Sequence, residues 1–171
     1  MPPLLTWIGR HALFLTFLGS SLILASAFAY EAITGLQPCH LCWIQRWLFA
    51  GLALISFLAW CLPAQWLRRL LALPFVLLAL SGIGVALRHL YIKLNPHTVS
   101  CGMDVETLLD FLPLREAIQE MLLGSADCAQ VANFLGLPLP SWTLSGYLLL
   151  GGLGLYGLLA RRSRRSASQL L

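Results

Sequence analysis

Residues 70–87, LLALPFVLLALSGIGVAL, form an unbroken stretch without a single charged side chain. About 20 apolar residues suffice for an α-helix to cross the hydrocarbon core of a bilayer, and three further apolar stretches of similar length occupy 11–30, 43–62 and 142–160. Of the 171 residues, 58% are hydrophobic and 11% are charged, whereas roughly a quarter are charged in a soluble domain. The sequence therefore predicts an all-α membrane protein, a bundle of four transmembrane helices that forms a single domain over residues 1–171.

The basic residues are divided unequally between the two sides of this bundle. If both termini share one side, that side holds seven of the eleven basic residues: Arg10, Arg68, Arg69, Arg161, Arg162, Arg164 and Arg165. Because cytoplasmic loops carry an excess of Lys and Arg, we expect segments 1–10, 63–69 and 161–171 to be cytoplasmic. Segments 31–42 and 88–141 are then the external loops, of which the second is long. Nucleic-acid binding would require basic residues interleaved with aromatics on an exposed face, so the expected surroundings are a lipid bilayer and no nucleic acid.

The first apolar stretch has an alternative interpretation as a cleaved signal peptide. Arg10, the apolar run and the small residues Ala27 and Ala29 imitate the three regions of such a signal. The run is long for a signal, however, and it ends at Tyr30, an aromatic residue of the kind enriched at membrane interfaces. We therefore expect a retained helix.

The long external loop is expected to be partly helical. Leu108, Leu109 and Leu112 have the spacing of one helical face, and Pro113 suits the first position of a second short helix. Such amphipathic helices commonly lie on the bilayer surface.

The cysteines are concentrated on the external side. The first loop contains the pair Cys39 and Cys42 in Cys-His-Leu-Cys, the second contains Cys101 and Cys128, and Cys61 lies at the cytoplasmic end of the second span, where we expect it to pack as a small apolar residue. A Cys-x-x-Cys pair is typical of redox or metal chemistry. Because Cys42 stands where the second span begins, the unpaired amides and the positive end of the helix dipole are expected to favour a thiolate there.

Arg46 follows Cys42 by four residues, so both side chains belong to the same helical face. An ionisable residue inside a span is a candidate for function, and a guanidinium about 6 Å from a thiolate would stabilise it by on the order of 2–3 kcal/mol at an effective dielectric near 20. The alternative is that Arg46 extends to the lipid headgroups from the helix end.

Two other interpretations of the cysteines are open on the residues alone. Four external cysteines could ligate zinc, although structural zinc sites usually contain two short Cys-x-x-Cys segments and the second pair here is widely spaced. A non-catalytic membrane scaffold with two structural disulfides is the stronger alternative. A bridge at Cys-x-x-Cys spacing closes a very short loop, however, and would stabilise the fold little.

Several segments form a distinctive set in a fixed order: Pro38-Cys39-His40-Leu41-Cys42, Arg46, Cys101, Gly124-Ser125-Ala126-Asp127-Cys128-Ala129, Phe134-Leu135-Gly136-Leu137 and Pro140-Ser141-Trp142. This set, which extends over nearly the whole chain, resembles the DsbB family of disulfide bond formation proteins. The related vitamin K epoxide reductase family has its loop pair before the Cys-x-x-Cys pair in the chain. Here Cys39 and Cys42 come first, which favours the DsbB resemblance.

The resemblance implies a thiol oxidase of the bacterial inner membrane that uses a quinone, either ubiquinone or menaquinone, as electron acceptor. It implies that Cys101 and Cys128 form a mobile, water-facing disulfide that reoxidises a DsbA-like periplasmic partner, with Cys101 in the mixed disulfide. Electrons would then pass to Cys39 and Cys42 by interchange between Cys39 and Cys128.

Two further residues are assigned to the quinone by the same resemblance. Cys42 would act as a thiolate beside Arg46, and His89 corresponds to a family histidine near the quinone, whereas Arg88 is expected to contact headgroups. The sequence departs from the family at Gln45, where an acidic residue often precedes the arginine. That departure removes a possible partner of Arg46 and is expected to leave the guanidinium freer to face Cys42 or the quinone.

Overall fold

A computed structural model describes residues 3–35, 37–99, 105–131 and 133–159, and most of this chain is helical. These ranges contain seven α-helices: α1 (Pro3–Thr34), α2 (His40–Cys61), α3 (Gln65–Leu70), α4 (Ala72–Leu94), α5 (Val105–Phe111), α6 (Leu114–Leu123) and α7 (Leu139–Leu159). Two short 3₁₀ turns, Pro96–Thr98 and Ala126–Ala129, lie in the second external loop. A small antiparallel ribbon of β1 (Asn133–Phe134) and β2 (Leu137–Pro138) precedes α7.

The predicted fold class is confirmed, since four segments of the described residues are long and apolar enough to cross a membrane. They are His11–Thr34, His40–Cys61, Gln65–Leu94 and Leu139–Leu159. The third includes α3, which is joined to α4 by a single turn residue at Leu71. The chain is thus a multi-pass membrane protein, while the assignment of the two sides remains a prediction.

The core lies where the four long helices meet, with α1 packed against α2 and α7, and α4 packed against α2 and α7. Tyr147 of α7 is fully buried, stacks on Phe49 with ring centroids 4.0 Å apart, and donates a hydrogen bond of 2.9 Å to the Gln45 carbonyl. Gly82 of α4 lies against this ring, and a Cβ there would overlap it. A glycine at 82 is therefore what allows α4 and α7 to approach so closely.

Large apolar side chains cover the outside of the bundle. Exposed examples occur on all four long helices, including Leu22, Trp47, Leu73, Leu77 and Leu149. Contiguous apolar surface of this extent is unusual for a soluble monomer and suits contact with lipid acyl chains.

Candidate redox site

The Cys-x-x-Cys pair lies at the start of α2. Cys39 has an extended backbone (φ −64°, ψ 163°) and precedes the first helical residue, His40, so the first amides of the helix have no partner within it. The sulfurs of Cys39 and Cys42 are 3.0 Å apart, within hydrogen-bond distance. Cys39 is buried and Cys42 is partly exposed.

Cys128 meets this pair from the second external loop. It lies in the 3₁₀ turn Ala126–Ala129, its side chain is completely buried, and its sulfur is hydrogen-bonded to Cys39. The backbone amides of Leu41 and Ser125 also hydrogen-bond to this sulfur. The helix start that was expected to favour a thiolate at Cys42 thus supplies an amide to Cys128.

The pKa values of the two hydrogen-bonded thiols, Cys39 and Cys128, are shifted in opposite directions. The hydrogen bond with Cys39, and next the amides of Leu41 and Ser125, lower the pKa of Cys128 to about 6 against the opposing effect of burial. The hydrogen bonds to Cys128 and Cys42, together with burial, raise the pKa of Cys39 well above its usual range. One proton held on Cys39 therefore stabilises a thiolate on Cys128.

His89 of α4 completes the group. It is buried, with Nε2 3.8 Å from Cys39 Sγ, and its Nδ1 has no hydrogen-bond partner in the described part of the chain. The ligand atoms of Cys39, Cys42 and His89 lie within 4.8 Å of one another, close enough to hold a metal ion. A tetrahedral zinc ion, with Zn–S of about 2.3 Å, keeps its sulfurs about 3.8 Å apart, so the 3.0 Å sulfur pair would have to open to accept it.

Arg46 faces α1. Its guanidinium forms an ion pair with Glu31, donates to the Ala27 carbonyl at 3.0 Å, and lies over the Phe28 ring at 4.6 Å from the centroid. The expectation that Gln45 leaves the Arg46 guanidinium freer is therefore corrected, because Glu31 pairs with it. Gln45 points into the core, where it is buried, and the carboxylate comes from the end of the neighbouring helix instead.

Two further expectations are corrected. Cys128 is not water-facing, because the turn that carries it is packed against α2 and α4. Cys61 is exposed at the end of α2 and does not pack in the core. Arg88 donates to the Leu123 carbonyl at 3.0 Å, and its contact with headgroups stays a prediction.

Cys101 lies outside the described residues, so its pairing with Cys128 stays a prediction. The sequence alone did not single out Glu31 or Lys93 as site residues. In the structure Glu31 pairs with Arg46, and Lys93 donates to the carbonyls of Ala129 at 3.0 Å and Val131 at 2.6 Å. Glu31 was detectable in principle. Of the seven acidic residues, Glu31 is the one at the end of a predicted span. The following span contains Arg46, a charged residue that requires a partner there.

The lowered pKa of Cys128 predicts how the stability of the fully reduced protein depends on pH. Above about pH 6 the thiols of Cys39 and Cys128 together bind one proton in the folded protein. In the unfolded chain the same two thiols bind two protons until both titrate near pH 9. Unfolding therefore takes up a proton between these limits, so stability rises with pH there and falls above pH 9, where only the folded pair keeps its proton. We expect the thermal midpoint to rise by a few degrees from pH 6 to pH 8, measured by helical circular dichroism in detergent.

The Cys128→Ser variant is the control for that measurement. All other titratable groups are retained in it, so an effect of pH that does not act through Cys128 would appear in both proteins. A rise of equal size in the variant would show that Cys128 is not the group responsible.

The chain is similar to known proteins along nearly its whole length. Residues 9–157 match the family model described as disulfide bond formation protein DsbB. Disulfide bond formation protein B of Alkalilimnicola ehrlichii is 46% identical over 155 residues, which cover 90% of this chain and 96% of that protein. The protein of the same name from Marinobacter nauticus is 41% identical, with 88% and 92% covered, and disulfide bond formation protein B 2 of Pseudomonas entomophila is 38% identical, with 88% and 90% covered. No solved structure matches the chain.

Proposed function

Because this chain belongs to the DsbB family and is thus a multi-pass membrane oxidoreductase of disulfide bond formation, we propose that it reoxidises a DsbA-like periplasmic thiol oxidase and passes the electrons to a membrane quinone. The observation that carries the proposal is the contact of Cys128 with Cys39 beside Cys42. It joins a cysteine of the second external loop to the membrane-anchored pair.

Electrons enter through Cys101 and Cys128. A thiolate of the reduced partner attacks Cys101 Sγ, the Cys101–Cys128 disulfide breaks, and Cys128 leaves as a thiolate. A thiol of low pKa is the better leaving group, and the hydrogen bonds to Cys128 lower its pKa to about 6. The structure of the docked turn therefore favours attack at Cys101 over attack at Cys128, whose sulfur is also inaccessible.

The Cys128 thiolate then attacks Cys39 Sγ of the Cys39–Cys42 disulfide, and Cys42 leaves as a thiolate. The second thiol of the partner resolves the mixed disulfide and releases the Cys101 thiolate, which attacks Cys128 and frees Cys39. The net result is an oxidised partner, a restored Cys101–Cys128 disulfide, and two thiols at Cys39 and Cys42. Thiol exchange needs contact between the sulfurs, which Cys39 already has with both Cys42 and Cys128.

Oxidation of Cys39 and Cys42 to a disulfide releases two electrons and two protons, for which a bound ubiquinone or menaquinone supplies the acceptor. The residues around the pair fit such a group. The Arg46 guanidinium directs one N–H at Glu31 and one at Ala27 out of the five that an arginine carries, and the buried Nδ1 of His89 has no partner in the described part of the chain. The guanidinium can donate to a carbonyl oxygen, and so can His89 in the tautomer that carries its proton on Nδ1. Glu31 holds Arg46 next to Phe28 and Trp43.

The proposed setting is the bacterial inner membrane with both termini in the cytoplasm. This orientation, which rests on the excess of arginine in segments 1–10, 63–69 and 161–171, exposes the cysteine pairs to the oxidising compartment, where disulfides form and persist.

The test is a reconstitution of the purified, oxidised protein with quinone and a reduced DsbA-like protein. We expect one quinone to be reduced for each partner dithiol oxidised, followed by quinone absorbance and by thiol labelling of the partner. A partner whose thiols have been alkylated is the matched control and should leave the quinone unchanged. If thiols are exchanged with the partner but no quinone is reduced, the acceptor is wrong; if neither occurs, the scaffold with structural disulfides is the better description.

A further inference from the structure

Two basic side chains of α4 hold the backbone on either side of Cys128. Arg88 donates to the carbonyl of Leu123, the last residue of α6, at 3.0 Å. Lys93 donates to the carbonyls of Ala129 at 3.0 Å and Val131 at 2.6 Å. Hydrogen bonds from charged donors are shorter and roughly twice as strong as neutral ones.

These hydrogen bonds add directional contacts to the apolar packing around Cys128. Cys128 packs in a cluster with Leu41, Val85 and Ile92, and apolar contact alone is non-directional. At Gly124 the backbone has φ +78°, and a Cβ would lie 2.6 Å from Cδ1 of Ile92. The segment therefore approaches α4 too closely for a side chain at that point, while Arg88 and Lys93 fix its position along the helix.

We propose that Lys93 and Arg88 are positioning residues, which hold the Cys128 segment on α4 so that its sulfur stays against Cys39 for disulfide interchange. The inference rests on the proposed function, since it assigns these residues to the step between the two cysteine pairs. They raise the effective concentration of the Cys128 sulfur at Cys39. Holding two reacting groups in place turns a bimolecular encounter into an effectively unimolecular step. The hydrogen bonds of Lys93 and Arg88 described above end on backbone carbonyls and not on a reacting sulfur.

The interchange itself can be measured as an equilibrium in the full-length Cys42→Ser protein. There the Cys39 thiolate attacks Cys128 of the Cys101–Cys128 disulfide, a Cys39–Cys128 bond forms, and Cys101 is released as a thiol, with no net oxidation. Peptide mapping after acid quenching gives the ratio of the two bridges. We expect Lys93→Met to lower the Cys39–Cys128 fraction relative to the Cys101–Cys128 fraction by about tenfold, the loss that one charge-assisted hydrogen bond commonly causes.

Lys93→Arg is the conservative variant and should restore most of the ratio, since it keeps a cationic donor at the same place. Arg115→Met is the matched control, because Arg115 is an exposed basic residue of α6 on the same predicted side, and its removal changes the net charge equally. Arg88→Met provides a second variant that tests the other end of the segment, with thermal unfolding of each protein to verify the bundle.

With Cys42 present, turnover separates positioning from general damage. Lys93→Met should lower kcat for oxidation of the partner about tenfold and leave the KM for quinone unchanged. A bridge ratio and a kcat that are unchanged in both Lys93→Met and Arg88→Met would overturn the positioning role. Absence of any Cys39–Cys128 bridge when Lys93 and Arg88 are intact would instead overturn the proposed interchange, so the two failures are distinguishable.

Discussion

Substitution of Cys42 by serine is expected to abolish quinone reduction driven by the reduced partner, with a loss on the order of 10³-fold or more, as found when a reacting residue is removed from an enzyme. The reason is the chemistry of the last step. Without the Cys42 sulfur the Cys39–Cys42 disulfide cannot form, so Cys39 has no dithiol partner through which two electrons leave the protein. Exchange with the partner at Cys101 should continue for one equivalent per protein, because Cys101 and Cys128 are unchanged. The measurement is quinone absorbance under turnover, set against oxidation of the partner in a single-turnover mixture.

Cys61→Ser is the matched control for that experiment. It makes the same chemical change in the same helix, at an exposed position at the opposite end of α2, and it should retain full turnover. Quinone reduction at the wild-type rate in Cys42→Ser would refute the assignment of Cys42 as the residue that hands electrons on.

Substitution of Gly82 by valine is expected to destabilise the bundle by about 3 kcal/mol, the upper part of the usual range for overpacking a core. The added side chain would overlap the ring of Tyr147, which has little freedom to move away because it stacks on Phe49 and is hydrogen-bonded to the Gln45 carbonyl. For a chain of this length that cost lowers the thermal midpoint by roughly 6–12 °C. Helical circular dichroism in detergent measures it.

Gly84→Val separates the packing effect from the intrinsic cost of valine in a helix. Gly84 lies two residues further along α4, is exposed, and has open space where a Cβ would stand. We expect its midpoint to stay within a few degrees of the wild type. Equal losses at both positions would mean that the contact between α4 and Tyr147 is not what limits stability.

The geometry around Arg46 shows where inference from the sequence failed. The four-residue spacing assigns Arg46 to the helical face of Cys42, but the partner of the guanidinium is Glu31, fifteen positions earlier in the chain. The interpretation of Gln45 considered only neighbours in sequence. A charge inside a bundle is compensated by whichever helix packs against it, and that depends on the rotation of α1 and α2 about their axes.

Cys128 shows the same limit for the loops. Its spacing from Cys101 and the resemblance predicted a mobile, water-facing residue, whereas the structure buries it against Cys39. The docked turn contacts α4 through Ile92 and Lys93, and it approaches the helix closely at Gly124, which lies far from them in sequence and shares no local pattern with them. The pKa of Cys128 follows from that docking and was not predictable before it.

The sequence by itself determined the class of this protein and the composition of its site. Helices that cross a bilayer are specified by the length and hydropathy of contiguous segments. The cysteines and their flanking residues were sufficient to identify the family, because their order and spacing are properties of the linear sequence. Only the tertiary structure decided which groups touch: Arg46 with Glu31, Cys128 with Cys39, and Lys93 with the backbone after Cys128. Each of these contacts joins helices or turns whose relative rotation and docking are set by side-chain packing over the whole bundle, and no single segment contains that information.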